Sequence, residues 1–517
     1  MTPDDDCDDL GQRALVERLR ALLGAACADS GEIIETHISR VLLVGELAYK
    51  LKRPVDLGFL DFSTLAARQH YATEEVRLNR RLAERLYLDV VPVTGTPAAP
   101  RLGGDENAGI LDYAVRMRRF PQDALLTRQA LTDGLTDALA ERIAAFHAAI
   151  PEAPPDGPYG APEQVLAPML ENFAVIRASV ELDPALDADL DRLESWTRRQ
   201  WVALKGVLAA RRRDGFIREC HGDLHRGNIA VLDGEPLIFD CIEFSPALRW
   251  IDTQSELAFL LMDLKQAGEV RAARRLLNRW LMRSGDYAGL ALLPFYLVYR
   301  ALVRAKVTAI GAAQHHQGHA APDVALRGYV RQALLDSRAS SPRLVLLCGL
   351  SGSGKTYLAE RLAEQVALIH VRSDVERKRL FGLPAEARGD AQLYSEQAST
   401  RTYARLLALA DGLLRAGCGV LVDATFLTAA RRGPFCALAE RLGCPLDILA
   451  LDAPPAVLRA RVRARHRAGT DPSDADVAVL ERQLAGREPL GAAARARAIF
   501  VDTRGVLPLE DLARLLS

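Results

Sequence analysis

A single eight-residue pattern constrains this chain more than any other feature. Residues 349–356 read Gly-Leu-Ser-Gly-Ser-Gly-Lys-Thr and match G-x-x-x-x-G-K-[ST]. The pattern follows the apolar stretch 344–348 and opens a helical stretch, which is the context that such a loop needs. Its glycines let successive backbone N–H groups point at phosphate oxygens, and the helix N-terminus adds a favourable dipole. We predict a phosphate cradle made by Gly349, Ser351, Gly352, Ser353 and Gly354.

The lysine of this pattern stands out against the composition. Only seven of the 66 basic residues are lysine. A lysine is therefore less readily found by chance inside a phosphate-binding pattern of this chain than an arginine would be. Lys355 is expected to reach the β- and γ-phosphates, and the Thr356 hydroxyl is expected to ligate Mg²⁺. The pattern therefore predicts ATP and Mg²⁺ as cofactors.

The stretch from 343 to 517 has the alternating strand and helix segments that are typical of a parallel α/β sheet. Apolar segments at 344–348, 368–371, 419–422, 446–451 and 499–501 alternate with helical stretches. A small polar segment closed by proline, residues 336–342, precedes them and is the best linker candidate. We predict a first domain at 1–335, this linker, and an α/β nucleotide-binding domain at 343–517.

Acidic residues end two of these predicted strands. The carboxyl ends of strands in open α/β sheets converge on the ligand crevice. Asp423 is expected to hold magnesium there, and Asp374 is placed to accept a proton from an acceptor hydroxyl, with a helix N-cap as its alternative role. Further on, Arg461 and Arg465 are four residues apart on one helix face, as two phosphate-binding arginines would be, although a solvated arginine face is the alternative.

The order of these motifs resembles the small P-loop kinases, most closely the gluconate-kinase-like and zeta-toxin-like groups. The resemblance covers about 343–517 and rests on the phosphate loop, Arg372-Ser373-Asp374, the segment 422–425, the arginine helix and the segment 471–475. It implies a five-stranded parallel sheet, a hydroxyl as phosphoryl acceptor, Asp374 as base, and Arg461 and Arg465 as lid residues.

A second constellation lies in the first half of the chain. Residues 221–228 read His-Gly-Asp-Leu-His-Arg-Gly-Asn, and their Asp-to-Asn spacing is that of a kinase catalytic loop, D-x-x-x-x-N. Twelve residues later an apolar stretch ends at Asp240. The chemistry needs one carboxylate for the acceptor proton and two ligands for magnesium. We assign Asp223 to the first task and Asn228 and Asp240 to the second.

This loop resembles that of the aminoglycoside-phosphotransferase-like branch of the protein-kinase-like fold, H-G-D-[LF]-H-x-x-N, over roughly 30–335. The resemblance implies an α+β fold in which a strand lysine holds the α- and β-phosphates and pairs with a helix glutamate. Lys50 fits that lysine, with Lys52 on the same strand face as its rival. Glu75 fits the glutamate, with Glu74 as the alternative.

The first half also departs from the family pattern. It has no G-x-G-x-x-G, so another loop, Thr36–Ser39, is a candidate to cover the nucleotide phosphates, and no glycine follows Asp240. These departures leave room for a weakened or inactive kinase. Asp252 is expected to cap a helix and brace the catalytic loop. The histidines at 315, 316 and 319 read as a solvated loop, not a metal site.

Composition excludes several classes of protein. The 517 residues are 49% hydrophobic and 26% charged, with a net charge of −1, which argues against a disordered chain and against a nucleic-acid or membrane partner. We find no signal peptide and no long apolar run, and the eight cysteines have no zinc-like spacing. We expect a cytoplasmic protein with reduced, buried cysteines. The oligomeric state stays open.

The whole order resembles bacterial proteins described as bifunctional aminoglycoside phosphotransferase/ATP-binding proteins. We predict two ATP–Mg²⁺ sites, each transferring a γ-phosphoryl group to a hydroxyl of a small molecule. Two alternatives remain. One domain could be a nucleotide-gated regulatory module, or the C-terminal domain could act on a polynucleotide end or a nucleotide sugar.

Overall fold

The computed structural model describes residues 3–27, 29–58, 60–104, 109–154, 156–314, 320–385, 387, 391–468 and 472–516. Two compact units divide the chain. The first comprises Met1–Ala138, Ala145–Pro168 and Lys205–Asp263, and the second comprises Leu139–Ala144, Met169–Leu204 and Leu264–Ser517. The histidines at 315, 316 and 319 and Asp471 lie outside the described residues. The boundary at 336–342 stays a prediction.

The helices and strands follow one another in this order. The chain begins with α1 (Pro3–Cys27), β1 (Glu32–Glu35), β2 (Ser39–Val44), β3 (Leu47–Lys52), α2 (Leu65–Ala83), β4 (Tyr87–Thr96), β5 (Ala99–Leu102), β6 (Ile110–Arg118), α3 (Asp133–Ala149), α4 (Pro162–Ser179), α5 (Pro184–Arg213), β7 (Ile217–Glu219), β8 (Ile229–Leu232), β9 (Glu235–Ile238), α6 (Pro246–Arg249), β10 (Trp250–Asp252) and α7 (Thr253–Gln266). It continues with α8 (Val270–Ser284), α9 (Leu293–Gln314), α10 (Ala320–Asp336), β11 (Leu344–Cys348), α11 (Lys355–Gln365), β12 (Leu368–Arg372), α12 (Ser373–Leu380), α13 (Glu396–Arg415), β13 (Gly419–Asp423), α14 (Ala429–Leu442), β14 (Leu446–Asp452), α15 (Pro455–Ala468), α16 (Val477–Gly486), α17 (Ala492–Ala496), β15 (Ala498–Asp502) and α18 (Leu509–Leu516).

The first unit is built on a six-stranded antiparallel sheet in the order β1-β2-β3-β6-β4-β5. Side chains alternate along β3. Tyr49 and Leu51 therefore join a core with the apolar face of α1, whereas Lys50 and Lys52 face the other side, where α2 packs. This alternation is what turns both lysines toward the acidic residues of α2.

Two small two-stranded sheets of the first unit carry the catalytic loop predicted at 221–228. β7 pairs with β10, and β8 pairs with β9, both antiparallel. The predicted loop connects β7 to β8, and the predicted magnesium residue Asp240 follows β9. The two segments are hydrogen-bonded to each other, because Phe239 N donates to Asn228 O at 2.9 Å and Ile242 N donates to His221 O at 3.0 Å. The predicted α+β kinase-like fold is confirmed.

The second unit contains the predicted five-stranded parallel sheet, and its strand order is β12-β13-β11-β14-β15. Apolar strands such as β11, which is buried throughout, are what a sheet covered on both faces requires. The register pairs Leu347 with Asp423 and Arg372 with Asp423. The carboxyl ends of β11, β12 and β13 therefore meet at one edge, beside the phosphate loop.

Helix α8 covers the edge of this sheet that is formed by β12. Asn278 Oδ1 accepts a hydrogen bond from His370 N at 2.7 Å, and Asn278 Nδ2 donates to Leu368 O at 3.2 Å. The side chain thus pairs with backbone groups of edge strand β12 as a neighbouring strand would. Arg271 and Arg275 also bind the carboxylate of Glu364 near the end of α11. Helix α8 is therefore part of the packing of the parallel sheet.

We predict a large stability loss when Asn278 is replaced by leucine, which has a similar size. Two buried backbone groups of β12 would lose their partners, at about 1–3 kcal/mol each, so the free energy of unfolding should fall by roughly 2–5 kcal/mol. Val270→Ala, at a more exposed position of the same helix, should change it by less than about 0.5 kcal/mol. Chemical denaturation of the two full-length variants checks this, and equal stabilities would contradict the edge-pairing role.

The structure bears on two expectations from composition, namely buried cysteines and the lack of a long apolar run. The described cysteines are free, and Cys220, Cys241 and Cys348 are buried, but Cys27 is exposed at the end of α1. In the described part of the chain, one helical stretch, Tyr287–Ala313, is long and apolar enough to cross a membrane. However, 67% of its most apolar window is buried within the protein, and core helices of soluble proteins pass the same test.

Candidate active sites

The two candidate lysines of the first unit share one glutamate. Lys50 Nζ lies 2.8 Å from Glu75 Oε1, and Lys52 Nζ lies 2.7 Å from Glu75 Oε2. Lys50 also binds Asp240 Oδ1 at 2.6 Å, whereas Lys52 pairs with Glu243. Glu74 instead binds Arg77 at 2.8 Å, so it is not the partner of either lysine. Lys50 is the lysine that joins Glu75 to the predicted magnesium residue.

This cluster is buried apart from Asp240, which is 46% exposed, and its carboxyl groups outnumber its ammonium groups by one. Three carboxylates, those of Glu75, Asp240 and Glu243, face the two ammonium groups. Burial alone would raise the pKa of Glu75, but the two lysines lower it to about 2, so this carboxylate is ionised. Burial and the neighbouring Glu75 raise the pKa of Glu243. A surplus of carboxyl groups at this place suits a bound cation.

The catalytic loop brings its predicted acid and amide together. Asn228 Nδ2 donates to Asp223 Oδ2 and to Asp223 O, both at 3.0 Å. The side chain of Asp223 remains 34% exposed, so it can reach a substrate. Because the amide nitrogen of Asn228 faces Asp223, its oxygen faces away from that carboxylate. An amide oxygen and the carboxylate of Asp240 are the hard ligands that Mg²⁺ prefers, and these residues fit the predicted ion.

The backbone of this loop is hydrogen-bonded to the buried side chain of Glu256. Its carboxylate accepts hydrogen bonds from His221 N at 2.6 Å and Gly222 N at 2.9 Å. Gly222 has φ +89°, and a Cβ there would lie 2.9 Å from Leu248 O, so glycine is required. His221 itself donates from Nε2 to Phe239 O at 2.9 Å and accepts from Asp223 N at 3.3 Å. Burial lowers the pKa of His221, which agrees with this neutral tautomer.

Asp252 caps α7 as expected, whereas its bracing of the catalytic loop stays a prediction. Asp252 ends β10 and is bound by Arg211 at 2.6 and 2.8 Å, while it accepts from Gln254 N at 2.8 Å. The acid that binds the loop backbone is Glu256, one helical turn later. The sequence holds a signal for it, because Glu256 is an acid directly before the apolar run Leu257–Met262 of α7. An acid at the head of a buried helix needs a buried partner.

The segment after β9 bends sharply at Asp240. Its φ is +63°, a left-handed conformation that aspartate tolerates better than most residues and that is common at functional sites. Asp240 N donates to the Tyr87 hydroxyl at 3.2 Å, and Cys241 N donates to Asn79 Oδ1 at 2.9 Å. Neighbouring strand and helix side chains therefore fix a turn that the sequence does not mark with glycine.

A buried histidine behind the catalytic loop makes the stability of the protein depend on pH. Burial, together with the charge of Arg218, lowers the pKa of His147 to about 3. An unfolded histidine takes up its proton near pH 6.5, so stability is fully present above about pH 6.5 and is lost as pH falls toward 3. His147→Leu should flatten the decline of Tm between pH 7 and pH 4.5. His466→Leu, at an exposed position, should not, and equal slopes for all three chains would contradict the assignment.

In the second unit, the phosphate loop has the geometry that its glycines require. Gly352 and Gly354 have φ of +81° and +86°. A Cβ on Gly349 would lie 2.8 Å from Leu451 O, and one on Gly352 would lie 2.8 Å from Leu458 O. Within the described part of the chain, the buried hydroxyl of Ser353 has no hydrogen-bond partner. A buried hydroxyl without a partner beside such glycines fits a phosphate ligand.

The lysine and threonine of the loop lie against the end of β13. Lys355 Nζ donates to Gly349 O at 3.0 Å and to Leu350 O at 2.9 Å. Burial lowers the pKa of Lys355, while the nearby carboxylates of Asp423 and Asp374 oppose that shift. Thr356 Oγ1 donates to Asp423 Oδ2 at 2.6 Å. A hydroxyl and a carboxylate in contact are suitable ligands for Mg²⁺ or its water shell.

His370 adds a contact to this carboxylate. Its Nε2 lies 3.4 Å from Asp423 Oδ2. Burial would raise the pKa of Asp423, but His370, Lys355 and Arg372 hold it well below its usual range. The residue went unnoticed in the sequence, although a histidine inside the apolar strand 368–372 is itself a signal. Asp423 is therefore kept as a carboxylate at the predicted cation site.

Asp374 lies in the first turn of α12, beside an aromatic and basic cluster. Arg377 Nη1 lies 3.7 Å from Asp374 Oδ1, and the Arg377 guanidinium stacks on the Tyr394 ring at 4.7 Å. The Tyr394 hydroxyl donates to Asp474 Oδ2 at 3.1 Å. Burial raises the pKa of Tyr394, and the carboxylates of Asp374 and Asp474 raise it further. The cluster forms a polar wall next to the carboxylate predicted as base.

The two predicted lid arginines occupy different positions. Arg461 donates to Thr503 O at 2.6 Å and to Gly352 O at 3.4 Å, so it is tied to the phosphate loop backbone. Arg465 donates to Ala475 O at 2.9 Å, and its charge contributes to the lowered pKa of Lys355. Arg461 therefore lies at the phosphate loop, where its main partner is Thr503, whereas the hydrogen bond of Arg465 is to the segment before α16.

Two family models match the chain, one in each half. The model described as phosphotransferase enzyme family matches residues 59–293, and the model described as AAA domain matches residues 344–490. The fold and the two matches together identify an aminoglycoside-phosphotransferase-like domain followed by a P-loop kinase domain.

Relatives that match across both halves show the family of the chain. An uncharacterized protein of Mycobacterium tuberculosis (strain ATCC 25618 / H37Rv) is 31% identical to it over 404 residues, which cover 76% of this chain and 78% of the relative. An uncharacterized protein of Mycobacterium bovis (strain ATCC BAA-935 / AF2122/97) matches equally well. The chain belongs to the same family as these mycobacterial proteins.

Solved structures resemble one part of the chain each. A choline/ethanolamine kinase family protein from Mesorhizobium loti is 14% identical, covering 62% of this chain and 94% of that chain with a TM-score of 0.39. A gluconokinase from Sinorhizobium meliloti 1021 is 22% identical, covering 34% of this chain and 89% of that chain with a TM-score of 0.25.

Proposed function

We propose that both halves are ATP-dependent phosphotransferases, each moving a γ-phosphoryl group to a hydroxyl of a small molecule in the cytoplasm. The observation that carries the proposal recurs in both halves. One partly exposed carboxylate, Asp223 or Asp374, lies near a different set of cationic and oxygen groups that we assign to the donor. A phosphotransferase needs this separation, because one group must act on the acceptor while others hold the donor.

In the first unit, Lys50 would hold the donor phosphates, and Glu75 orients that lysine. Asn228 and Asp240 would hold Mg²⁺, which when bound neutralises charge on the β- and γ-phosphates. Asp223 accepts the proton of the acceptor hydroxyl. That oxygen forms a bond to the γ-phosphorus while the bond from this phosphorus to the β–γ bridging oxygen breaks, so the products are a phosphomonoester and ADP.

In the second unit, the same bonds form and break, and different residues take the corresponding roles. The loop glycines, Ser351 and Ser353 would surround the phosphates, and Lys355 would reach the transferring group. Thr356 and Asp423 would hold Mg²⁺. Asp374 takes the acceptor proton, and Arg465, together with Arg461, counters the charge that spreads over the migrating phosphoryl group.

Nucleotide-binding stoichiometry tests the two-site proposal on the full-length chain. Isothermal titration with a non-hydrolysable ATP analogue and Mg²⁺ should give two sites per chain. Lys50→Ala should remove one of them and Lys355→Ala the other. Arg514→Ala, at an exposed position of α18, serves as the control and should keep both. A wild-type stoichiometry of one would instead favour a single nucleotide-binding domain.

A further inference from the structure

Helix α1 lies outside the matched range 59–293, yet it is bonded to the turn between β1 and β2. Asp9 binds Arg53 with both oxygens, at 3.0 Å from Nε and 2.7 Å from Nη2. Arg53 Nη1 in turn donates to Thr36 O at 3.1 Å and His37 O at 3.3 Å. One carboxylate on α1 therefore fixes, through one guanidinium, two carbonyl groups of the turn.

A second chain of contacts runs from the same helix to the lysine strand. Arg40, which is buried, donates to Asp9 Oδ2 and to Gln12 Oε1, both at 2.8 Å. Gln12 Nε2 donates to Lys52 O at 2.7 Å and to Asp112 Oδ2 at 2.6 Å. Burial opposes ionisation of Asp9, but hydrogen bonds from Arg53 and Arg40 lower its pKa to about 2. The network is charged, specific and partly buried.

The strand register places this turn at the donor site. Ser39 pairs with Lys52, and Val41 pairs with Lys50, so the turn at 36–38 lies at the end of the sheet that carries both lysines. The turn contains no glycine, and its own bonds, such as Ser39 N to Thr36 Oγ1 at 2.9 Å, make it compact. A turn without glycine adapts poorly to a ligand, so its position must be set in advance.

The orientation set by Arg53 also suits a phosphate. In a trans peptide unit the N–H points opposite to the C=O. Carbonyls of Thr36 and His37 directed at the guanidinium therefore turn the N–H groups of His37 and Ile38 to the side away from Arg53. Ile38 N donates to Thr36 Oγ1 at 3.3 Å, so the N–H of His37 is the one we assign to a phosphate oxygen. A backbone N–H in a turn is a common donor to bound anions.

We propose that α1 is a positioning element of the first nucleotide site, in which Asp9, acting through Arg53, sets the β1–β2 turn over the donor phosphates. The inference rests on the proposed nucleotide site of the first unit. Asp9 acts only through Arg53 and the turn, so it is a positioning residue. Its loss should weaken the binding of phosphate-bearing nucleotide and spare the nucleoside.

The test uses the full-length chain with Lys355→Ala, so that titration with ATP and Mg²⁺ reports the first site alone. In this background Asp9→Asn should weaken ATP binding about tenfold, because a hydrogen-bonded ion pair is lost. Adenosine affinity should stay within about twofold. Glu17→Gln, which breaks an exposed ion pair with Arg20 on the same helix, is the matched control and should change neither affinity.

Each other outcome overturns the inference. ATP affinity within about twofold of the background, in a folded Asp9→Asn chain, would show that the turn does not depend on α1. Equal losses for ATP and adenosine would show a merely structural role. If Asp9→Asn fails to fold, Arg53→Gln is measured against the same criteria. A background chain that binds no ATP while it unfolds at the wild-type temperature contradicts the proposed first site itself, and the inference falls with it.

Discussion

Asp374→Asn should reduce phosphoryl transfer by the second unit about 10²–10⁴-fold, the range that general-base or orienting help contributes. Nucleotide binding should survive, because the loop glycines, Lys355 and Thr356 contact the donor in the proposed arrangement and Asp374 does not. The rate is measured as acceptor-dependent ADP release from a metabolite pool. The full-length chain carries Lys50→Ala in this assay, so that the first site is silent.

Two further variants make this result specific. Lys355→Ala should lose both transfer and nucleotide binding at the second site, because its ammonium group lies over the phosphate loop. Asp411→Asn changes a partly exposed carboxylate on α13 that binds Arg415, and it should keep the full rate. Undiminished transfer by Asp374→Asn would contradict its assignment as base, and so would brisk ATP hydrolysis without an acceptor.

Asp223→Asn should abolish transfer by the first unit and leave its ATP affinity within a few-fold. Asp223 is assigned to the acceptor, whereas Lys50, Asn228 and Asp240 are assigned to the donor. The amide also retains a hydrogen-bonding group for Asn228, so the loop should keep its shape. The measurement pairs ADP release with nucleotide titration in a full-length chain that carries Lys355→Ala.

The matched control for this variant is Asp233→Asn. Asp233 lies in the turn between β8 and β9, is exposed, and binds Arg85. It should keep both transfer and affinity. A loss of nucleotide binding by Asp223→Asn as large as that of Lys50→Ala would assign Asp223 to the donor side instead.

The α/β half could be predicted in detail from the sequence because its signals are local. A contiguous loop pattern and five apolar strand segments specify the sheet, and each predicted strand agrees with the observed one to within a residue at either end. The parallel pairing of the strands follows from the connections through helices, whereas their order is known only from the structure. No comparable local signal marks the contact of Asn278 with β12, since about 90 residues separate them.

In the first half, the sequence specified the residue types but not their partners. Alternation along β3 places Lys50 and Lys52 on one face, so spacing alone could not choose between them. The structure shows that both bind Glu75 and that they differ in their second partner, Asp240 or Glu243. The contact of Glu256 with the catalytic loop was missed for a similar reason. Asp252 and Glu256 are both acids near the start of α7, and only the fold shows that Glu256 binds the loop backbone.

The most direct test of the central claim is to identify the products. The full-length protein is incubated with ATP, Mg²⁺ and a metabolite extract, and mass spectrometry follows new phosphomonoesters. We expect two sets of products, one from each proposed site. One set should disappear with Asp223→Asn and the other with Asp374→Asn, while Asp233→Asn and Asp411→Asn retain both. A single set that depends on only one of the two aspartates, or ATP consumed with release of inorganic phosphate alone, would contradict the account.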